Sequence, residues 1–252
     1  MIKRNLNLRI KCSKKTSFYR KSKKVLKEKG IKYLVKLLIR NILNVFYFNY
    51  LYYKLFCANK TFLFQGQDYK YFYHIYNYTW ENERSLEIPI MLKVLKENKD
   101  KKILEVGNVL SHYFPVQHDV VDKYEKAKGV INEDIVKFNP KTKYDLIISI
   151  STIEHVGWDE KPKEPQKVLK AIENLKKCLS SQGKIIITFP LGYNHFLDGL
   201  LQEKKIFFSK EIFLKKVSKD SWIEKNINQI KNVSYGFPYL GANGIIIGII
   251  KK

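Results

Sequence analysis

Apolar and polar residues alternate along this chain in two rhythms, and the rhythms predict its elements. Residues 144–150, Tyr-Asp-Leu-Ile-Ile-Ser-Ile, form the strongest apolar run, short and β-branched as a buried strand requires. Similar runs occur at 103–106, ending on Gly107, at 120–122, more weakly at 129–131, at 184–189 and at 244–250. Helical spacing lies between them. Residues 83–97 put Leu86, Ile90, Leu92 and Leu95 inward, with a kink expected near Pro89. Residues 168–179 put Val168, Leu169, Ile172, Leu175, Cys178 and Leu179 on one face, and 180–183 end that helix. Strands alternating with helices across short turns predict an α/β fold with a mostly parallel sheet covered on both faces.

The first third of the chain reads differently. In residues 31–56, Lys32, Lys36 and Arg40 repeat on one helical face, while Leu34, Val35, Leu38, Ile42, Val45 and Phe46 take the other. An apolar stripe beside a basic one suits a helix lying in a membrane interface, and Tyr47, Phe48, Tyr50, Tyr52 and Tyr53 favour headgroup depth. The plain alternative is that the stripe packs on the protein's own core. Basic residues interrupt it too often for a membrane span. Residues 61–80 are crowded with aromatics, which suit a short strand or a loop closing over a pocket, or stacking on bases. Three zones follow: a basic, amphipathic helical extension (1–60), an aromatic connecting or lid segment (61–82) and the α/β domain (83–252).

Charge sharpens this division. Among 252 residues, 47 Lys and Arg face 24 Asp and Glu, for a formal +23, and up to Lys60 the sole acid is Glu28. Such an arm is an electrostatic footprint for an anionic partner, either a membrane surface reached through residues 1–56 or nucleic acid. Cys12, Cys57 and Cys178 lie far apart, which suggests neither a disulfide framework nor a zinc site. With no secretory signal at its start, the chain is expected in the cytoplasm, peripheral at the inner face of the membrane if the arm binds lipid.

In such a sheet, ligands bind beyond the carboxyl ends of the strands. The first end carries Glu105, Gly107 and Asn108, with the glycine allowing a tight turn and close backbone approach. The second carries Asp122, suited to a pair of ribose hydroxyls. After the third come Glu133, Asp134 and Ile135, where a carboxylate can accept from an adenine amino group. The fourth gives Ser149, Ser151, Glu154 and His155. Each feature is weak alone; their order carries the signal.

That order resembles the class I S-adenosylmethionine (SAM)-dependent methyltransferases over residues 83–252. Ile103 to Gly107 is similar to the family's first motif, Val120-Val121-Asp122 to its second, and Glu133-Asp134-Ile135 to its adenine-contacting third. Residues 144–156 resemble the fourth strand followed by its Glu-His-Val, and 175–190 the helix, glycine turn and fifth strand. The resemblance implies a Rossmann-like, seven-stranded sheet closed by an antiparallel last strand (244–250), with the sixth strand around 222–227. It implies SAM as cofactor, held by Arg84, Glu105, Gly107, Asn108, Asp122, Glu133, Asp134, Ile135, Ser149 and Ser151. Arg84 would pair with the SAM carboxylate, or with Glu83 or Glu87.

The first motif departs from the family's G-x-G-x-G, keeping only Gly107. Asn108 tolerates left-handed angles and can stand for one glycine, while Val109 and Leu110 are expected to crowd the methionine end. His155 is the candidate general base for an acceptor hydroxyl, with Asp159 and Glu160 as nearby alternatives. His112, Tyr113 and His195 are expected to line the same cleft, and His74 and His118 to be structural. No metal-ligand set is expected. The leading expectation is O-methylation of a small molecule or glycan, such as a membrane-held saccharide. The alternatives are an RNA or DNA methyltransferase using the basic arm, and a non-catalytic, membrane-associated scaffold. The Asn/Asp-Pro-Pro-Tyr/Phe motif of many nucleic-acid amine methyltransferases is missing.

Overall fold

The computed structural model describes residues 30–33, 35–36, 48–230 and 232–252. The chain divides into two compact units, Met1–Leu55 and Phe56–Lys252. In the first, residues 30–33 and 35–36 are helical and exposed. Helix α1 (Phe48–Phe56), all but its last residue in this unit, leaves Phe48, Tyr52 and Leu55 exposed. Leu34, Leu38, Arg40, Ile42, Val45 and Phe46 of the expected amphipathic stripe lie outside the described residues. Among the described residues no helix is long and apolar enough to cross a membrane.

The second unit opens with an antiparallel hairpin, β1 (Thr61–Phe64) and β2 (Gln67–Lys70). Its turn, Gln65-Gly66, takes positive φ at both positions, as two-residue hairpins matched to strand twist require. A 3-10 segment, Tyr76–Glu81, broken by positive φ at Asn77 and Tyr78, leads to helix α2 (Arg84–Glu97). Pro89 of α2 has no N–H to offer the carbonyl four residues back, that of Ser85. Phe72 N donates to it instead, at 2.8 Å, so the break in the helix ladder anchors the incoming chain.

Among the described residues an eight-stranded sheet follows, in the order β5-β4-β3-β6-β7-β10-β8-β9. Its strands are β3 (Ile103–Val106), β4 (Asp119–Val121), β5 (Val130–Ile131), β6 (Tyr144–Ile150), β7 (Leu179–Pro190), β8 (Lys210–Ser218), β9 (Ser221–Lys225) and β10 (Gly244–Lys251). From β5 to β7 all pairings are parallel, whereas β10 runs antiparallel to both β7 and β8. Helices α3 (Lys167–Cys178), α4 (His195–Gln202) and α5 (Ile227–Ile230) complete the unit.

Alternate residues of the central strands feed two separate cores. Leu104, Ile147, Ile185, Ile187 and Ile246 pack with α3 and α4, while Ile103, Leu146, Ile148, Ile186 and Ile247 pack with α2 and the hairpin. That is the doubly covered sheet the apolar runs predict. Gly248 interrupts β10 for want of space, because a Cβ there would stand 2.3 Å from the Phe208 ring.

The plan is the mostly parallel α/β sheet that the sequence predicts, with three corrections. The neighbour of the C-terminal strand is β8, Lys210–Ser218, and not a strand near 222–227. Trp222 belongs to β9, an added edge strand that raises the count from seven to eight. Residues 180–183 do not separate helix from strand: Leu179 already pairs with Tyr144, and the register jumps to Leu146 opposite Lys184, so these four bulge out of β7.

Candidate active site

The carboxyl ends of β3, β4, β5 and β6 converge on a cleft of about 460 Å³, a size typical of small-ligand sites. Gly107, Asp122, Glu125, Glu133, Ile135 and His155 line it. The order of strands brings these scattered residues together, since each follows a different strand of one parallel layer.

Gly107 has φ +85°, and a Cβ there would lie 2.3 Å from Thr152 Oγ1, so both the angle and the close approach need glycine. Beyond it, the loop closes on carboxylates. Glu105, fully buried, accepts from Val109 N (2.9 Å) and Leu110 N (2.8 Å) through Oε1, and its Oε2 meets His118 Nε2 at 2.8 Å. Glu105 thus shapes the loop and does not line the cleft. Asn108 is absent from the positive-φ residues, so it does not act as a glycine substitute. Instead it is buried, with its Nδ2 bonded to Glu125 Oε1 (2.7 Å). Val109 and Leu110 pack into the core beside α2 and leave the cleft clear, against the expected crowding.

Asp122 Oδ1 accepts from Tyr124 N and Glu125 N, both 2.8 Å, and Oδ2 from Asn108 N at 3.0 Å. A carboxylate offers about four acceptor positions, so Asp122 keeps one open, fewer than the expected pair of hydroxyls would use. Glu125 stands beside it, joined to Asn108 and to His112 (3.1 Å). Glu133 and Asp134 both reach the cleft but differ in state. Asp134 is bridged by Lys123 (3.0 Å) and Lys167 (2.5 Å). Burial works to raise its pKa, but the two lysines outweigh it and hold the carboxyl at about 2. Half-buried Glu133 makes no side-chain hydrogen bond or ion pair among the described residues, and Ile135 gives the apolar wall.

Arg84 falls outside the cleft lining. Its Nη1 donates to Glu87 Oε2 (2.8 Å) and to the Ile150 carbonyl (3.0 Å), and its Nη2 to the Ser151 carbonyl (3.2 Å). The internal pairing with Glu87 is therefore the one realised. Ser151, at a positive φ of 35°, donates its hydroxyl to Glu87 Oε1 (2.6 Å), as does Thr188 (2.6 Å). Ser149 is fully buried within β6. Neither serine lines the cleft; this network instead ties the ends of β6 and β7 to α2.

His155 is half-exposed at the mouth. Its Nδ1 lies 2.5 Å from Asp159 Oδ2, which also accepts from the Tyr193 hydroxyl at 2.6 Å. Burial would raise the Asp159 carboxyl, but hydrogen bonds from Tyr193 and His155 keep it below its ordinary range. The Tyr193 ring meets His155 edge-on at 5.1 Å and Tyr235 at 5.0 Å. With Nδ1 held by a carboxylate, Nε2 is the nitrogen left to take a proton. Glu160 ties Lys123 and Lys167 together and belongs to the ion network, not to a base.

Of the other histidines, His112 stacks on Tyr76 (4.4 Å) near the cleft, whereas the His195 side chain is 78% exposed and turned toward Trp158. Tyr113 packs edge-on against Tyr76 and His74. His74 accepts from Tyr76 N and His118 serves Glu105, so both are structural as expected. Sequence reasoning missed Glu125, which lines the cleft, and Tyr235, which packs on the Tyr193 ring; neither follows a motif, and folding alone brings them there.

No protein-family model and no curated protein matches this chain. Among solved structures, it is similar to the N-methyltransferase NodS from Bradyrhizobium japonicum WM9 (13% identity, 68% of this chain and 96% of that one, TM-score 0.42). It is also similar to the 1,6-didemethyltoxoflavin-N1-methyltransferase from Burkholderia thailandensis (12%, 82% and 88%, TM-score 0.42). A third likeness is to an rRNA methylase from Streptococcus thermophilus (12%, 66% and 96%, TM-score 0.38). At this distance the activities in those names stay with those proteins.

Proposed function

We propose that this protein is a SAM-dependent methyltransferase that O-methylates a small-molecule or glycan acceptor. One observation carries the reading: a cleft at the carboxyl ends of four parallel strands gathers Gly107, Asp122, Glu133 and Ile135 beside a carboxylate-held histidine. The residues suit the cofactor. Asp122 retains an acceptor position for a ribose hydroxyl, Glu133 is free to accept from an adenine amino group, and Ile135 supplies an apolar face. Gly107 lets the backbone come close. Arg84, Glu105, Ser149 and Ser151 act behind this surface.

When bound, SAM supplies a methyl group made electrophilic by its sulfonium. His155, oriented by Asp159, would take the acceptor's hydroxyl proton at Nε2 as that oxygen receives the methyl group, and the departing thioether sulfur would keep the electrons of the carbon–sulfur bond. Tyr193 fixes Asp159, so the base is held from two sides.

Isothermal titration calorimetry with SAM and with S-adenosylhomocysteine, on the native protein and on Asp122→Asn, tests this. Micromolar binding, weakened in the variant, is expected. No detectable binding of either ligand to a well-folded sample overturns the reading.

A further inference from the structure

Among the groups behind the histidine, one carboxylate is left over. Glu83 Oε2 accepts from Ala242 N at 3.0 Å, and Glu87 is satisfied by Arg84, Ser151 and Thr188. Arg84 in turn gives its remaining bonds to two carbonyls. Glu154 is 1% exposed, yet its Oε2 has no hydrogen-bond partner among the described residues. Its Oε1 stands 3.7 Å from His155 Nε2, the nitrogen assigned above to the acceptor. Asn194 Nδ2 holds the Glu154 carbonyl at 2.7 Å, so the residue is fixed in this place.

The surroundings of Glu154 suit a cation. Its charge is felt by the hydroxyls of Tyr193 and Tyr235, whose rings meet at 5.0 Å, and such faces accept cations. A buried carboxyl without a partner is unfavourable unless it is neutralised or a cation arrives. Burial pushes Glu154 well above the usual carboxylate range against the pull of Arg84, so the carboxyl is neutral as it stands, and a cation bound beside it would ionise it.

We propose that the acceptor is a vicinal amino alcohol, such as an amino sugar, whose ammonium donates to Glu154 while the adjacent hydroxyl donates to His155 Nε2. The 3.7 Å between the two side chains matches groups on neighbouring carbons. This rests on the methyltransferase reading and names its substrate class. It also gives Glu154 the role of holding the acceptor, separate from proton removal by His155.

The test is titration of glucosamine and of glucose into protein saturated with S-adenosylhomocysteine, native and Glu154→Gln. Glucosamine is expected to bind about tenfold or more tightly than glucose. That preference disappears in Glu154→Gln, while affinity for S-adenosylhomocysteine and the melting temperature hold. Equal binding of the two sugars, absence of glucosamine binding, or a preference surviving in Glu154→Gln overturns the proposal and leaves the methyltransferase reading standing. Weaker S-adenosylhomocysteine binding in the variant also overturns it, since the carboxylate would then serve the cofactor's own ammonium. If S-adenosylhomocysteine fails to bind the native protein, both readings fall.

Discussion

Buried charge in this domain is held by backbone as much as by other side chains. Arg84 illustrates it, donating to one carboxylate and two carbonyls where β6 ends. Removing one partner of a buried pair strands the other, at about 3–5 kcal/mol. Arg84→Met is therefore expected to lose stability on this scale in urea denaturation. A variant of native stability with reduced SAM affinity would instead make Arg84 a cofactor ligand. Asp198 offers a pH-dependent case. Burial lifts its carboxyl from 3.8 to about 6, so the fold favours the protonated form. Its contribution is present in full below the ordinary value and is lost as pH rises through about 6. Asp198→Asn keeps an acceptor for Gly192 N and removes the charge. At pH 8 it should stabilise by about 1–2 kcal/mol after screening, with little change at pH 4, by thermal melts at both. Equal shifts at the two pH values would count against it.

At the level of elements, the loop after β3 works with a single glycine because carboxylates do what further glycines would otherwise permit. Glu105 and Asp122 satisfy the N–H groups of Asn108, Val109 and Leu110. Gly107→Ala is expected to displace Thr152 and to weaken SAM binding at least tenfold by calorimetry, because the angle and the 2.3 Å contact both forbid a side chain. Unchanged affinity would show that the loop can shift freely. Sequence made the strands of the parallel half legible, since buried runs such as 144–150 admit one reading. It misplaced the sixth strand for a physical reason. β8 carries Lys215 and Lys216, which look solvated, but Lys216 is buried and donates to the Glu81 (2.8 Å) and Leu240 (3.1 Å) carbonyls. Likewise, strand ends located Asp122, Glu133 and His155, because a parallel sheet collects its carboxyl ends on one side. Which acid stays free, Glu133 or Asp134, depended on Lys123 and Lys167, distant in sequence and unmarked by any pattern.

Across the whole of the second unit, the sheet joins two halves of different character. One is parallel and carries the cleft, while β8 and β9 form a hairpin on the far side. Between them runs β10, bonded along Ile245–Lys251 to β7 and along Gly244–Ile249 to β8. Its burial on both faces makes it a keystone, and this has a bearing on biosynthesis. Until Gly244–Lys251 has been made, β7 and β8 each present an open edge, and the nascent chain holds two partial sheets with no shared strand. Such edges invite pairing with other chains. The cleft residues are all made before that point, so the site's components exist as a chain well before the sheet that holds them is closed.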